Sequence, residues 1–305
     1  MDVSEIFLGI GLVVISALNS IAIIYIVRQQ KSGIRPRQEM VEEGDEATAP
    51  QSSVAPKRPM TKTEILAWRR NILEEFEQER GTKVITMIHK KELWTEPGED
   101  TEIGIEDTET VLQQFRRTPP DKPVDLIIHT PGGYALAAEM MAMAIKFHRA
   151  KVTVMVPFYA MSGGSLMSLA ADEIRMEKYS VLGPVDPQIP TADGTWPASS
   201  LSTLLKSKPI QNITDRMIIM SDVANLETEN AKAFVMWLLE DKMDKEQAER
   251  VADFLARGYM SHATPITLDV ARALGLNVVE GVPEKVYELF KTFAFTGQPY
   301  RRPIG

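Results

Sequence analysis

The greater part of this chain is predicted to form an α/β domain, and three observations carry that prediction. A strand, a glycine turn and a helix follow one another twice in succession. PVDLIIHT runs into Pro131-Gly132-Gly133 and then YALAAEMMAMAIKFHR; KVTVMVPFY runs into Met161-Ser162-Gly163-Gly164 and then SLMSLAADEI. These strands are apolar along their length rather than at alternate positions, the pattern of a sheet covered on both faces. Finally, 305 residues of which 44% are apolar leave material for one core domain of about 200 to 250 residues plus appendages.

Taken in order, residues 6–27, IFLGIGLVVISALNSIAIIYIV, carry no charge over 22 positions. At about 1.5 Å of rise each they span a hydrocarbon layer about 30 Å thick, so residues 1–30 are read as one transmembrane helix. Ser16, Asn19 and Ser20 are tolerated there, because hydroxyls and one amide cost far less in lipid than a charge and can face a neighbouring helix. A cleaved signal peptide wants a basic start and a small-residue cleavage site. This chain begins Met1-Asp2-Val3-Ser4-Glu5 and places Arg28, Lys31, Arg35 and Arg37 after the apolar run. The positive-inside rule then puts the amino terminus outside and the remainder in the cytoplasm, a single-pass protein of the cell membrane whose basic residues meet anionic headgroups.

Residues 31–60 turn acidic and then rich in Pro, Ser and Ala, with too little apolar content to pack, and read as a flexible linker. Thr61-Lys62-Thr63-Glu64 has the form of a capping box opening a helix that ends at Gly81. KVITMIHK is the first strand of the folded domain, placed at 61–292. An acidic stretch at 93–108 and a helix at 107–117 precede the two strand–turn–helix units. Short strand-like pieces follow in EIRMEKYSVLG, then a proline- and glycine-rich loop at 184–197. Helices are predicted at 198–206, 214–241 and 245–257, then at 268–275, with a strand in NVVEG and a last helix at 283–291. The tail, 293–305, is expected to be loose or bound to a partner.

Composition excludes several chemistries. With no cysteine there are no disulfides, thiolate nucleophiles or Cys-ligated zinc sites. A net charge of −8 and a pI near 5.2 argue against a nucleic-acid surface. No His-Glu-x-x-His or clustered carboxylate pattern points to a metal, and Thr130-Pro131-Gly132-Gly133 lacks both the Gly-Lys-Ser/Thr ending of a phosphate loop and the spacing of a dinucleotide fingerprint. No cofactor is expected.

Both glycine turns fall at carboxyl ends of strands, where open α/β sheets place their sites. Ser162 lies in the second turn, ahead of a helix whose positive end is aimed at it, and so is a candidate nucleophile. Gly132 and Gly133, with Gly163 or Gly164, can offer backbone amides to an oxyanion if the two strands are neighbours; tight turning alone also accounts for glycine pairs. The base is open. Of four histidines, His89 and His129 end strands, His148 ends a helix, and His262 lies in a loop of small polar residues. Lys206 and Lys208, in LLKSKPIQN, are the other option, since a lysine shielded from water can lose its proton near neutrality. Asp186 can orient either kind of base or cap a turn.

Five pieces, in order, resemble one family: KVITMIH at 83–89, HTPGG at 129–133, YAMSGG at 159–164 with AADEI at 170–174, VLGPVDPQ at 181–188, and His262 with PIT at 265–267. Over residues 61–291 the chain resembles the membrane-anchored serine dehydrogenase proteinases, relatives of signal peptide peptidase A and of the Clp protease proteolytic subunit. The resemblance implies the Clp/crotonase-like superfold of repeated β-β-α units. It implies Ser162 as nucleophile, Gly132, Gly133 and Gly163 as the oxyanion site, a peptide or protein substrate, and a homo-oligomer. In the Clp subunit a histidine follows the serine where this chain reads Val185-Asp186-Pro187, so that triad is not assembled in the same way. The signal-peptide-peptidase relatives use a lysine, which makes Lys208 or Lys206 the expected base and His262 the second choice. A crotonase-like acyl-thioester enzyme and a scaffold that has lost turnover are the competing readings.

Overall fold

The computed structural model describes residues 60–90, 92, 94 and 101–294. The segment predicted to cross the membrane, the predicted linker as far as residue 59 and all but the first two residues of the predicted tail lie outside the described residues. Among the described residues no helix is long and apolar enough to cross a membrane.

The chain opens with α1 (Lys62–Arg80), whose start is fixed by the predicted capping box. The Thr61 amide donates to Glu64 Oε2 at 2.8 Å, and Glu64 N–H donates to Thr61 Oγ1 at 3.3 Å. Gly81 closes it in the left-handed region, φ 65°. Then come β1 (Lys83–Ile88), α2 (Ile105–Arg117), β2 (Val124–His129), α3 (Ala135–Phe147) and β3 (Val152–Val156). They are followed by β4 (Tyr159–Ala160), α4 (Gly163–Ala170), β5 (Glu173–Met176), β6 (Val181–Leu182), β7 (Gln188–Thr191) and β8 (Gly194–Pro197). The chain continues through α5 (Ala198–Ser207), α6 (Asp215–Leu239), α7 (Lys245–Ala256), β9 (Ile266–Thr267), α8 (Leu268–Ala273), β10 (Val278–Glu280) and α9 (Glu284–Ala294).

The class is α/β. Five strands form a parallel sheet in the order β1-β2-β3-β5-β10. Its two faces bury alternate residues of the same strands, which is why those strands read as continuous apolar runs. Ile85, Leu126, Ile128, Val154 and Val156 face the larger core with α2, α3, α4, α6 and α7. Val84, Ile127 and Met155 face Ile72 and Phe76 of α1 and Val286, Leu289 and Phe290 of α9. One charge sits inside this sheet: Asp125 is 1% exposed, and it accepts from Arg80 Nε at 2.7 Å, Arg80 Nη2 at 3.1 Å and Thr82 Oγ1 at 2.8 Å.

A second, three-stranded sheet has the order β4-β6-β9, with β4 and β6 parallel and β6 and β9 antiparallel. A bridge between Thr130 and Ala160 joins its edge to the end of β2. Two local readings are corrected. The helix after Ser162 stops at Ala170 instead of running on through Ala171-Asp172-Glu173-Ile174, and Glu173–Met176, read as strand-like, is a strand of the main sheet. The segment 184–197 contains the β7–β8 ribbon rather than only loop; it is a two-stranded ribbon with a free edge on each side, so Pro190 and Pro197 are tolerated in it.

Candidate active site

Ser162 lies where the chain leaves β4 for α4, with φ 49° and ψ −113°. It is the one non-glycine residue with positive φ among the described residues. A residue at the start of a helix ordinarily has extended backbone, so this conformation has to be imposed by the surroundings. Ser165 N–H and Leu166 N–H donate to Ser162 O at 2.8 and 3.2 Å, and Gly164 N–H to Met161 O at 2.8 Å. The Ser165 hydroxyl donates to Ala160 O at 2.9 Å and accepts Gly183 N–H at 2.9 Å, pinning the first turn of α4 to both neighbouring strands. Every residue of α4 is buried, and Gly164 lets it approach the sheet: a Cβ there would lie 2.5 Å from Thr130 Cγ2.

The turn after β2 lies directly against this serine. A Cβ on Gly132 (φ 107°) would stand 2.7 Å from Ser162 Cβ and 3.3 Å from Ser162 Oγ, so only glycine fits there. The Gly132 carbonyl accepts Ile103 N–H at 2.7 Å, and Tyr134 N–H donates to Ile103 O at 2.8 Å. Gly132 N–H is committed to Thr130 Oγ1 at 3.1 Å. The N–H groups of Gly133 and Gly163 donate to no acceptor among the described residues. Gly163 is the first residue of α4, where helix geometry leaves the amide without a partner.

The small sheet brings the other polar groups to the same end. Ala160 pairs with Leu182 and Leu182 with Ile266, so the chain beyond β4, the chain beyond β6 and the chain before β9 leave the sheet together. Those segments carry Ser162, Asp186 and His262. Asp186 is 4% exposed; its Oδ1 is 2.7 Å from His262 Nδ1, and its Oδ2 accepts Gln188 Nε2 at 2.7 Å. His262 Nδ1 and Gln188 Nε2, 3.2 Å apart, are both donors to this one carboxylate. A proton on Nδ1 leaves Nε2 as the basic nitrogen of the ring, a tautomer assigned from these bonds.

Lys206 occupies the last turn of α5 and Lys208 follows it as the capping residue; both side chains are exposed and neither has an ion-pair partner among the described residues. The structure thus joins Asp186 to His262 and leaves the two lysines at the surface. Of the other histidines, His148 Nε2 contacts Lys122 O at 2.7 Å. His129 is buried between Phe158, Tyr159 and Phe290, and that burial pushes its pKa down. His89 joins Thr130 and Asp107. Sequence reasoning missed Gln188 and Thr130. The available signal was their placement, two residues beyond Asp186 and two before Gly132. A cleft of about 1070 Å³, lined in part by Glu77, Lys83, Arg117 and Lys122, opens at the amino ends of β1 and β2, the end of the sheet away from Ser162.

A family model described as ClpP-like SDH-type serine proteinase matches residues 54–302, and the chain belongs to that family. It is similar to two uncharacterized proteins of Methanocaldococcus jannaschii. One is 45% identical over 227 residues, covering 74% of this chain and 76% of the relative. The other is 44% identical over 237 residues, covering 77% and 80%. Among solved structures, an alanine mutant of the 1510-N membrane-bound stomatin-specific protease aligns with a TM-score of 0.41 at 16% identity, over 63% of this chain and 79% of that one. ClpP1 from Listeria monocytogenes aligns with a TM-score of 0.39 at 15% identity, over 68% and 97%.

Proposed function

We propose that this chain is a membrane-tethered serine peptidase that hydrolyses peptide bonds through an acyl-enzyme on Ser162, with His262 as general base. The observation that carries the reading is the backbone of Ser162, a non-glycine residue at φ 49° on a strand-to-helix turn pressed against Gly132. Such strain persists only where the fold over-determines it, and it lifts the hydroxyl clear of its own helix. In the reaction Ser162 Oγ bonds to the substrate carbonyl carbon while its proton passes to His262 Nε2. The carbonyl oxygen becomes an oxyanion held by the amides of Gly133 and Gly163. The imidazolium, stabilised by Asp186, then gives its proton to the leaving amine as the C–N bond breaks, and water repeats the sequence to release the acid. Residues 6–27 supply the tether, and copies of the chain assemble around it on the cytoplasmic face.

His262 displaces the lysine base expected from the sequence because its 2.7 Å bond to a buried carboxylate is the arrangement a base requires, whereas Lys206 and Lys208 are exposed. The test is labelling of the detergent-solubilised full chain with a fluorophosphonate, the adduct being located by mass. Labelling at Ser162 is expected, absent in Ser162→Ala, strongly slowed in His262→Ala and Asp186→Asn, and unchanged in Lys206→Ala and Lys208→Ala. Loss of the adduct in a lysine variant with retention in His262→Ala would transfer the base to that lysine. A folded protein that takes no label would point to the scaffold reading, and acyl-thioester turnover surviving Ser162→Ala would point to the crotonase-like one.

A further inference from the structure

We infer that His89, acting through the Thr130 hydroxyl, is a positioning residue for the glycine turn that holds the oxyanion. This rests on the reading of Ser162 as nucleophile. Thr130 is fully buried at the junction of the two sheets. Its N–H donates to Tyr159 O at 3.2 Å and its carbonyl accepts Met161 N–H at 3.0 Å, so its main chain grips the nucleophile strand just before Ser162. Its hydroxyl accepts Gly132 N–H at 3.1 Å and lies 2.7 Å from His89 Nδ1. His89 Nε2 is 3.3 Å from Asp107 Oδ2, and the same oxygen accepts Gly104 N–H at 2.8 Å.

These bonds close a ring around the glycine turn. On the inner side Thr130 holds Gly132 N–H. On the outer side Ile103, next to Gly104, donates to Gly132 O at 2.7 Å and receives Tyr134 N–H at 2.8 Å. The His89–Asp107 pair connects the two sides. Burial raises the Asp107 pKa, but the bonds from His89 and Gly104 outweigh it and keep the carboxyl below its ordinary range, as expected of an acceptor that remains charged.

Proton bookkeeping gives His89 its task. Thr130 Oγ1 accepts Gly132 N–H and still has its own hydrogen to donate, with His89 Nδ1 at 2.7 Å and Gly132 O at 3.4 Å as the acceptors within reach. Nε2 faces the Asp107 carboxylate at 3.3 Å, which assigns the ring proton to Nε2 and leaves Nδ1 to accept the hydroxyl hydrogen at 2.7 Å, a shorter bond than the 3.4 Å one to Gly132 O, which already accepts Ile103 N–H at 2.7 Å. Without His89 the hydroxyl turns to Gly132 O and competes with Ile103. The turn then loses its fixed orientation, and the Gly133 amide moves relative to Ser162. Misplacement by about 1 Å in such a site lowers turnover by up to about 100-fold.

The experiment measures the maximal rate and half-saturating concentration of fluorophosphonate labelling at Ser162 in the solubilised full chain, alongside its melting temperature. Thr130→Val and His89→Ala are expected to lower the maximal rate about 10- to 100-fold with the half-saturating concentration unchanged, and Thr130→Ser, which keeps the hydroxyl, to restore it to within about 3-fold. If Thr130→Val does not fold, the partly exposed His89 decides through His89→Ala and His89→Gln. Variants that melt lower but label at the wild-type maximal rate would show a purely structural network and overturn the inference. Absence of labelling in the wild type would instead remove the nucleophile reading, and this inference with it.

Discussion

Replacing Ser162 by alanine and, separately, by glycine distinguishes the chemistry of the hydroxyl from the backbone that presents it. Both changes remove the hydroxyl proposed as the nucleophile. The Ser162 hydroxyl makes no hydrogen bond to a described residue, so neither leaves a broken network. Only the glycine variant releases the backbone. A non-glycine residue held at φ 49°, ψ −113° is strained by about 1–3 kcal/mol. Glycine adopts that conformation freely but loses about 0.5–1 kcal/mol more chain entropy on folding than alanine does. Ser162→Gly should therefore be more stable than Ser162→Ala by about 1 kcal/mol and by at most about 2.5 kcal/mol, with about 2–4 °C in melting temperature for each kcal/mol in a domain of this size. The assay is thermal unfolding of the two variants followed by circular dichroism in the same detergent and at the same protein concentration. A Ser162→Gly protein that melts with or below Ser162→Ala would mean that the turn stores no more than about 1 kcal/mol of strain, and the main support for Ser162 as an imposed nucleophile would be gone.

Two further outcomes follow from charges away from the site. Arg80→Met leaves Asp125 charged in the sheet with only the Thr82 hydroxyl, and should lower stability by about 3 kcal/mol in a denaturant titration; an unchanged midpoint would show that Asp125 does not need its guanidinium. Lys242 has an exposed stem, but its ammonium is turned inward and donates to Leu169 O and Ala171 O, each at 2.6 Å, at the end of α4. Burial, assisted by Lys146 and opposed by Asp172 and Asp241, lowers its pKa to about 8 from 10.5. Between these values the unfolded chain binds the extra proton, so this group's unfavourable contribution is full below about pH 8 and fades as pH rises to 10.5. Melting temperatures measured from pH 7 to 10 should therefore rise for the wild type relative to Lys242→Met, and parallel curves would refute the assignment.

The long strands and both glycine turns were legible because each β-strand buried on two faces leaves an uninterrupted apolar run, and because glycine is required where main chain meets main chain. What could not be read is carried by short elements. Strands β4, β6 and β9 have two residues each, too few for any periodicity, and only their pairing brings positions 162, 186 and 262 to one end. The proposal of His262 over the lysines rests on that pairing. Lys206 and Lys208 follow the last apolar turn of α5, and whether such residues turn inward or outward is a tertiary matter. The β7–β8 ribbon was hidden by Pro190 and Pro197, which argue against an interior strand but not against an isolated ribbon. His89 was visible as the end of a strand; its partners are distant in sequence, Thr130 just beyond the neighbouring strand and Asp107 on the following helix.

The division of the site between two sheets has a mechanical consequence. The parallel sheet carries the glycine turn, the small sheet carries Asp186 and His262, and Ser162 stands at the seam where Thr130 bridges Ala160. On the proposed mechanism, a nucleophile at such a seam is aligned with its oxyanion donors by hydrogen bonds from Thr130, and with its base by the register of β4, β6 and β9. These two alignments are held by different bonds, so they can fail separately. Changes to the Thr130 ring should reduce stabilisation of the oxyanion while leaving proton transfer to His262 intact, whereas changes at the Asp186–Gln188–His262 cluster should do the reverse. Combining one change from each group should therefore give losses in labelling rate that multiply, whereas two changes within one group should cost little more than the larger alone.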